Sequence, residues 1–288
     1  MNPARKSGKQ INRMVIGLCA GGGGGGMAAA AHIAAAMGLD IEGLFIEDED
    51  LFGLAALPFV TELQSGTLTA RPVDRTRLEH EMRAAASALQ RALAAAAQPA
   101  RASWRFASVR GHIESVVATA TAPGDVVAVL EPAGPFSQAA HAAVKLRRAA
   151  MRSPASVLYI PEAARWRPGA VVAVLDGGSE SHGEVLRKAV AIAAASRQQL
   201  VVLEAISGSA GKAGLSSLLE AYALGPAHLL VRGLEADSPE ALEHALHPIA
   251  QSLIILARGA LGLDEEGELM RLAARHQVPV LALEPKAG

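Results

Sequence analysis

The residues whose types and spacing most clearly suit ligand binding form a run of six glycines, Gly21–Gly26. The run lies between a short apolar stretch and an alanine-rich one. Glycines at a strand-to-helix turn let backbone N–H groups approach phosphate oxygens, and the run contains the G-x-G-x-x-G spacing of dinucleotide sites. Glu47 and Asp48 follow about twenty residues later, where such a site places its ribose partner. The glycines that would contact the anion are Gly21, Gly22, Gly23 and Gly24.

A homopolymer satisfies every glycine pattern, so the run alone identifies no ligand. Each glycine also costs conformational entropy unless its lack of a Cβ is used. Two interpretations stay open, an anion-binding loop at a helix N-terminus and a ligand-free flexible loop. The second is the one we favour from sequence.

A second polar turn follows another apolar run and precedes another helical stretch. It consists of Asp176, Gly177, Gly178 and Ser179. In open α/β sheets such strand-to-helix turns contact ligands, and Asp or Ser there can also cap the helix. Ser181 and His182 lie close by, but the G-x-S-x-G elbow of hydrolases is absent from the sequence. We predict a ligand-contact or capping turn and no catalytic residue.

Metal chemistry finds little support in the sequence. The acidic run Glu47–Asp50 offers oxygen ligands that Mg²⁺ accepts, but a solvated helix start is the commoner role of such a run. His244 and His247 are three residues apart, with no third ligand nearby in sequence. The Gly- and Ser-rich segment 208–217 lacks the Walker spacing and is interpreted as a mobile loop. No metal site is predicted.

The composition restricts the cellular compartment and the classes of partner that we expect. The 27 basic and 28 acidic residues give a net charge of −1 without a block of one sign, which argues against nucleic acid. Cys19 is the single cysteine, so an internal disulfide framework is excluded and a reducing compartment, the cytoplasm, is expected. The apolar stretch after the basic N-terminus is shorter than the ~7–15 residues of an export signal. We expect no membrane span, because no run of ~18 apolar residues occurs.

Short apolar runs alternate with helical stretches along the chain, which predicts β-α-β units and a parallel sheet. The predicted strands are 13–19, 41–47, 103–109, 125–131 and 156–161, followed by 170–176, 199–205, 227–233, 252–258 and 278–284. The clearest helix is 74–97, where apolar residues recur every three or four positions. Later helices are predicted at 182–196, near 213–223, at 238–249 and at 264–275.

The two halves of the chain repeat the same order of elements. A length of 288 residues suits two domains of about 140 residues each. We predict a disordered lead-in over 1–11, a first domain over 12–161, a linker over 162–169 and a second domain over 170–288. The repeat indicates an internal duplication.

Two stretches of the second half carry a family resemblance. They read VVAVLDGGSESHGEVLRKAVAIAAASRQQLVVLEA and SLIILARGALGLDEEGELMRLAARHQVPVLALE. They resemble the opening and the end of a universal stress protein domain, and by layout the likeness extends over two tandem copies. The resemblance implies two doubly wound α/β domains, each a five-stranded parallel sheet of order 3-2-1-4-5 with helices on both faces. It also implies that the domains pair through their last strands, here within one chain, with a further homodimer left open.

Many members of that family bind ATP through a loop G-x2-G-x9-G-[S/T] after the fourth strand. The second copy has Gly259 and Gly262 at the first spacing, but Leu272 and Ala273 stand where the final Gly and Ser/Thr are expected. Asp176 matches the strand-one aspartate that lies near the nucleotide. The resemblance therefore implies a half-present ATP motif in the second copy.

The first copy lacks that motif. Gly134 and Ser137 stand where two glycines are expected, and the segment Lys145–Arg148 takes the place of the Gly-Ser pair. The strand-one aspartate has no counterpart, because Cys19 and the residue after it lead directly into the glycine run.

From these residues we predict a non-catalytic universal stress protein-like protein with degenerate ATP motifs. We expect it to act in signalling or stress response, through a change of conformation or contact with an unidentified protein partner. ATP or another adenine nucleotide is the expected ligand if one binds. The alternatives are a nucleotide or dinucleotide binder or enzyme that uses the Gly21–Gly26 loop, and a scaffold that binds no small molecule.

Overall fold

The computed structural model describes residues 12–19, 26–57, 59–63, 70–72, 74–131, 138–176, 182–205, 228–263 and 266–284. The first half contains β1 (Arg13–Leu18), α1 (Met27–Met37), β2 (Asp40–Asp48), α2 (Glu49–Ala55), β3 (Thr61–Leu63), β4 (Ala70–Pro72), α3 (Arg75–Ala100), β5 (Trp104–Gly111), α4 (Ile113–Ala120), β6 (Val126–Leu130), α5 (Gln138–Arg152) and β7 (Ser156–Ile160).

The second half contains β8 (Ala170–Leu175), α6 (His182–Ser196), β9 (Leu200–Glu204), β10 (Leu229–Gly233), α7 (Pro239–Leu246), β11 (Gln251–Ala257), a short 3-10 helix (Ala260–Gly262), α8 (Glu266–His276) and β12 (Val280–Leu283). All ten predicted strands are confirmed. The helix predicted near 213–223 lies outside the described residues.

One ten-stranded sheet runs through both halves, in the order β10-β9-β8-β11-β12-β7-β6-β1-β2-β5. Each half contributes five parallel strands in the order 3-2-1-4-5. The halves meet where β12 and β7 pair antiparallel, with Val280 opposite Tyr159 and Ala282 opposite Val157. The fold class and the intrachain pairing through the last strands are therefore confirmed.

The central strands are apolar on both faces because helices cover both sides of the sheet. Every residue of β6 and β8 is buried, as continuous apolar strands of parallel sheets usually are. Helix α1 is rich in alanine, and its small side chains let it pack closely against the sheet and against α6 of the other half. The core is thus built mainly from Ala, Val, Leu and Ile, in keeping with the 3% aromatic content.

The segment between the halves is tied to the first half by a ring contact. Trp166 stacks on His32 of α1, with ring centroids 5.9 Å apart and planes 13° from parallel. Ala164, in the same segment, is buried. The residues predicted as a linker therefore take part in the packing of the molecule.

A two-stranded hairpin of β3 and β4 was not predicted from sequence. Each of its strands is three residues long, too short for the alternation of polar and apolar residues that identifies a strand. The hairpin forms a separate sheet and leaves the order of the main sheet unchanged.

Candidate functional site

The strand order changes direction once in each half, between β1 and β6 and between β8 and β11. In open α/β sheets, ligands bind in the crevice at the carboxyl ends of the strands at such a switch point. The residues that follow these strands are Cys19, Glu131, Asp176 and Arg258. The strands that border the two crevices are therefore followed by different types of side chain.

Asp176 lies at the crevice of the second half, directly after β8. Nε2 of His182, the first residue of α6, lies 3.0 Å from Oδ1 of Asp176, and both side chains are about one-fifth exposed. An ionised carboxylate only accepts, so the imidazole N–H donates this bond. The carboxylate is thereby held at the helix start with one oxygen free of His182.

The loop after β11 has the backbone geometry that glycine favours. Gly259 and Gly262 have φ angles of 84° and 74°, and Leu261 between them has a φ of 56°. A positive φ is unusual for leucine, and burial of its side chain at 7% exposure holds it in place. The two glycines of the half-present motif therefore shape a tight turn.

That turn uses its own amide groups. The N–H of Gly262 donates to the carbonyl of Gly259 at 3.3 Å, and the N–H of Leu263 donates to that of Ala260 at 3.0 Å. Leu272 and Ala273, where the family motif has Gly and Ser/Thr, are both buried. A phosphate at this loop would therefore meet neither these two amides nor a hydroxyl at the end of the motif.

Arg258 points away from a ligand position and towards the other half. Its guanidinium donates to the carbonyl oxygens of Met151, Ser153 and Ala155 at 3.0, 3.3 and 2.6 Å. These carbonyls lie at the end of α5 and in the turn before β7, where a cation also complements the helix dipole. Burial lowers the pKa of Arg258. The three hydrogen bonds that its terminal N–H groups donate offset part of that burial, whereas its buried Nε has no partner among the described residues.

An ion-pair network that the sequence did not reveal lies at the carboxyl end of β2, next to β1. Asp48, the last residue of β2, is buried, and its Oδ2 accepts from Nζ of Lys145 at 3.1 Å. The same ammonium donates to Asp50, whose backbone N–H donates to Oδ1 of Asp48 at 3.2 Å. Lys145 thus connects α5 to the end of β2 and the start of α2.

Close packing places α5, the helix that carries Lys145, against β1. A Cβ added to Gly17 of β1 would lie 2.6 Å from Cδ1 of Leu146, so α5 rests directly on that strand. Burial lowers the pKa of Lys145, but its hydrogen bonds to Asp50 and Asp48 outweigh burial and raise that pKa above its usual value. The hydrogen bond from Lys145 lowers the pKa of Asp50.

Cys19, the residue directly after β1, is buried. Its side chain packs in one apolar cluster with Leu146, Leu44 and Ile113. Burial, and then the negative charge of Asp48, raise the pKa of the thiol to about 12. The single thiol of the chain is therefore protonated and shielded at neutral pH.

The remaining acidic residues of this edge are also paired. Nδ1 of His112 lies 3.1 Å from Asp50, and its Nε2 lies 3.9 Å from Glu49. Glu47 accepts from Arg110 at 2.9 Å and from the hydroxyl of Ser108 at 3.1 Å. The two residues proposed as ribose partners, Glu47 and Asp48, are thus engaged by side chains of the same chain.

Several predicted site residues lie outside the described residues, namely Gly21, Gly22, Gly23, Gly24, Gly177, Gly178 and Ser179. Their roles stay predictions. Asp176, Gly259 and Gly262 are brought to one edge of the second half, because β8 and β11 are neighbours.

Within the described parts of the chain, no three His, Cys, Asp or Glu side chains converge as a metal site would need. None of the helices there combines the length and apolarity that a bilayer crossing requires.

Comparison with known proteins identifies the fold. Neither a family model nor a curated protein sequence matches the chain. A universal stress protein from Archaeoglobus fulgidus is similar in structure, with a TM-score of 0.57 and 13% identity over 95% of this chain and 97% of that one. A functionally unknown protein from Pseudomonas aeruginosa PAO1 gives 0.54 and 16% over 96% and 94%. The chain therefore has the universal stress protein fold over nearly its whole length.

Proposed function

We propose that the chain is a non-catalytic, universal stress protein-like module of the cytoplasm that binds an adenine nucleotide in its second half. On this proposal it works in signalling or stress response, through a change of conformation or contact with a protein partner. The nucleotide would lie at the crevice between β8 and β11.

The position of Asp176 is the observation that carries the proposal. This carboxylate stands after the first strand of its half, at the switch point, beside the loop that holds Gly259 and Gly262. A carboxylate there can accept hydrogen bonds from a ribose hydroxyl or an adenine amino group. The one-fifth exposure of its side chain leaves it within reach of a ligand.

The loop geometry supports base and sugar recognition more than a phosphate grip. A hydrogen bond to a charged group contributes about 1.5–3 kcal/mol, and the buried Leu272 and Ala273 offer no hydroxyl for one. Affinity should therefore depend little on the number of phosphates. ATP, ADP and AMP are expected to bind within about tenfold of one another.

The state of Cys19 supports a role without covalent chemistry. A nucleophilic thiol needs a lowered pKa and access to solvent, whereas burial raises the pKa of Cys19 to about 12. In the second half, the imidazole of His182 is hydrogen-bonded to the carboxylate of Asp176. We assign that carboxylate to ligand contact and not to catalysis.

The test is calorimetric titration of the purified chain with AMP, ADP and ATP, with and without Mg²⁺. Replacing Asp176→Ala should weaken binding about tenfold or more, since one charge-assisted contact is lost. Asp40→Ala is the matched control, because Asp40 is exposed at the opposite edge of the first half. Absence of binding by the unaltered chain, or equal affinity of the Asp176 variant, would refute the proposal.

A further inference from the structure

A hollow of about 400 Å³ lies at the outer edge of the second half, between β10 and α7. Strand β10 is the last strand of the ten-stranded sheet on that side. The polar lining of the hollow consists of Arg232, Glu235, His244 and His247, with small apolar residues between them. All lining residues belong to the continuously described stretch 228–263. The volume lies in the range of about 300–1,000 Å³ that is usual for small-molecule sites.

The matching place in the first half is covered by a helix. The row of Arg232 leads through β9 to Val174, the residue before the last of β8. The matching row of the first half joins Ala107 to Gly17, the residue before the last of β1. Ala107 packs with Val116 of α4 against one apolar cluster. The outer strand thus carries a small residue under a helix in the first half, and an exposed arginine beside a hollow in the second.

Arg232 and Glu235 bring opposite charges to this hollow. Neither side chain has a hydrogen-bond or ion-pair partner among the described residues, and the two do not pair with each other. The fork of an arginine matches the two oxygens of a carboxylate, and a glutamate accepts hydrogen bonds from an ammonium. A ligand that carries both charges therefore satisfies this lining better than a lone anion or a lone cation.

The two histidines suit hydrogen bonding better than metal binding. His244 and His247 are three positions apart at the C-terminal end of α7, and both line the hollow. In the part of the chain that the structure describes, no three His, Cys, Asp or Glu side chains could hold a metal ion together. The guanidinium of Arg232 also repels a cation. An imidazole N–H can instead donate to a carboxylate oxygen of a ligand.

We propose that the hollow binds a small zwitterion, an amino acid with an aliphatic carbon chain. Its carboxylate pairs with Arg232 and its ammonium pairs with Glu235. Ala241, Ala245 and Pro248 provide the apolar lining for the carbon chain. The hollow does not include Asp176, so this inference goes beyond the proposed nucleotide site and does not depend on it.

The test is calorimetric titration of the full chain with two zwitterions, L-leucine and 5-aminopentanoate. Pentanoate and pentylamine are the matched ligands, because each lacks one of the two charges. At least one zwitterion should bind about tenfold or more tightly than either matched ligand, since each of these loses one charge-assisted hydrogen bond. Binding of neither zwitterion, or equal affinity for pentanoate, would overturn the proposal.

Replacements on the strand side of the hollow assign the two charges. Arg232→Ala should weaken binding of the zwitterion about tenfold or more, and Arg232→Lys should recover only part of it, because an ammonium lacks the fork. Glu235→Gln should remove the preference for the zwitterion over pentanoate. Both residues are exposed, so the variants should fold, and circular dichroism checks this. Unchanged affinity in the Arg232→Ala variant would also overturn the proposal.

Arg271→Ala is the matched control, because Arg271 is an exposed arginine of α8 that lines the groove on the other side of α7. Its affinity for the zwitterion should equal that of the unaltered chain, and an equal loss there would count against a specific site. Asp176→Ala should also bind the zwitterion normally. The outcome is therefore distinguishable from success or failure of the proposed nucleotide binding.

Discussion

Asp48 keeps its carboxylate buried at the end of β2, where the ammonium of Lys145 and the backbone N–H of Asp50 approach it. The partners Asp48 and Lys145 are 97 residues apart in sequence. Removing one partner of a buried pair costs about 3–5 kcal/mol, because the other charge is left without compensation. At the residue scale, this pair should matter more than the exposed ion pairs on α3.

The pKa shifts of Lys145 and Asp50 predict a pH window for this stabilisation. Asp50 has a pKa lowered from 3.8, so its contribution is present above pH 3.8 and is lost as the pH falls through the folded-state value. Lys145 has a pKa raised from 10.5, so its contribution is present below pH 10.5 and is lost as the pH rises through the folded-state value.

Urea unfolding of the unaltered chain and of Lys145→Gln across this range measures the effect. The variant should be less stable by about 3 kcal/mol near neutral pH, and the difference should shrink below pH 3.8 and above pH 10.5. Since Asp48, Glu49 and His112 remain in both proteins, the comparison isolates the lysine. A difference that stays constant to both extremes would contradict this assignment.

Close backbone packing decides how the strands of the second half fit together. Gly169 directly precedes β8, and a Cβ there would lie 2.7 Å from the carbonyl oxygen of Ala250 and 3.0 Å from the N of Ser252. Those atoms belong to the backbone at the start of β11 and cannot rotate away. A register shift between Gln251 and Leu253 occurs at the same place.

At the element scale, Gly169→Ala should therefore destabilise the chain by about 1–3 kcal/mol, the usual cost of overpacking. Gly53→Ala, in α2, is the comparison, because no atom lies within 4 Å of an added Cβ there and alanine favours a helix by up to about 1 kcal/mol. Thermal unfolding of both variants measures the difference. Equal melting temperatures would show that the backbone adapts at Gly169.

The elements of this fold could be predicted because their signals are local. β6 and β8 are uninterrupted apolar runs, and α3 shows regular helical spacing over many residues. The hairpin of β3 and β4 could not be predicted, since three residues carry no period. The resemblance provided the strand order, which local patterns alone do not specify.

The candidate site was only partly predictable. Asp176, Gly259 and Gly262 stand at strand ends, so their position at the sheet edge follows from the strand assignment. The Lys145–Asp48 pair and the reach of Arg258 depend on how distant helices pack, and no spacing in sequence signals them. The physical reason is that long side chains find partners only after the backbone has folded.

The whole molecule is asymmetric although its two halves share one topology. Arg258 directly follows the fourth strand of the second half and donates to three carbonyls of the first half, whereas Glu131 occupies the matching position in the first half. In the first half Lys145 pairs with Asp48 and Asp50, and in the second half the Asp176 carboxylate follows the first strand. We therefore expect the two halves to differ in ligand binding.

Native mass spectrometry with adenine nucleotides tests this central claim most directly, because it counts ligands bound to each chain. The account predicts one nucleotide per chain at saturation, with affinity weakened about tenfold or more by Asp176→Ala and unchanged in Lys145→Arg, and with no conversion of ATP to ADP during incubation. Two nucleotides per chain, none at all, or steady hydrolysis of ATP would contradict it.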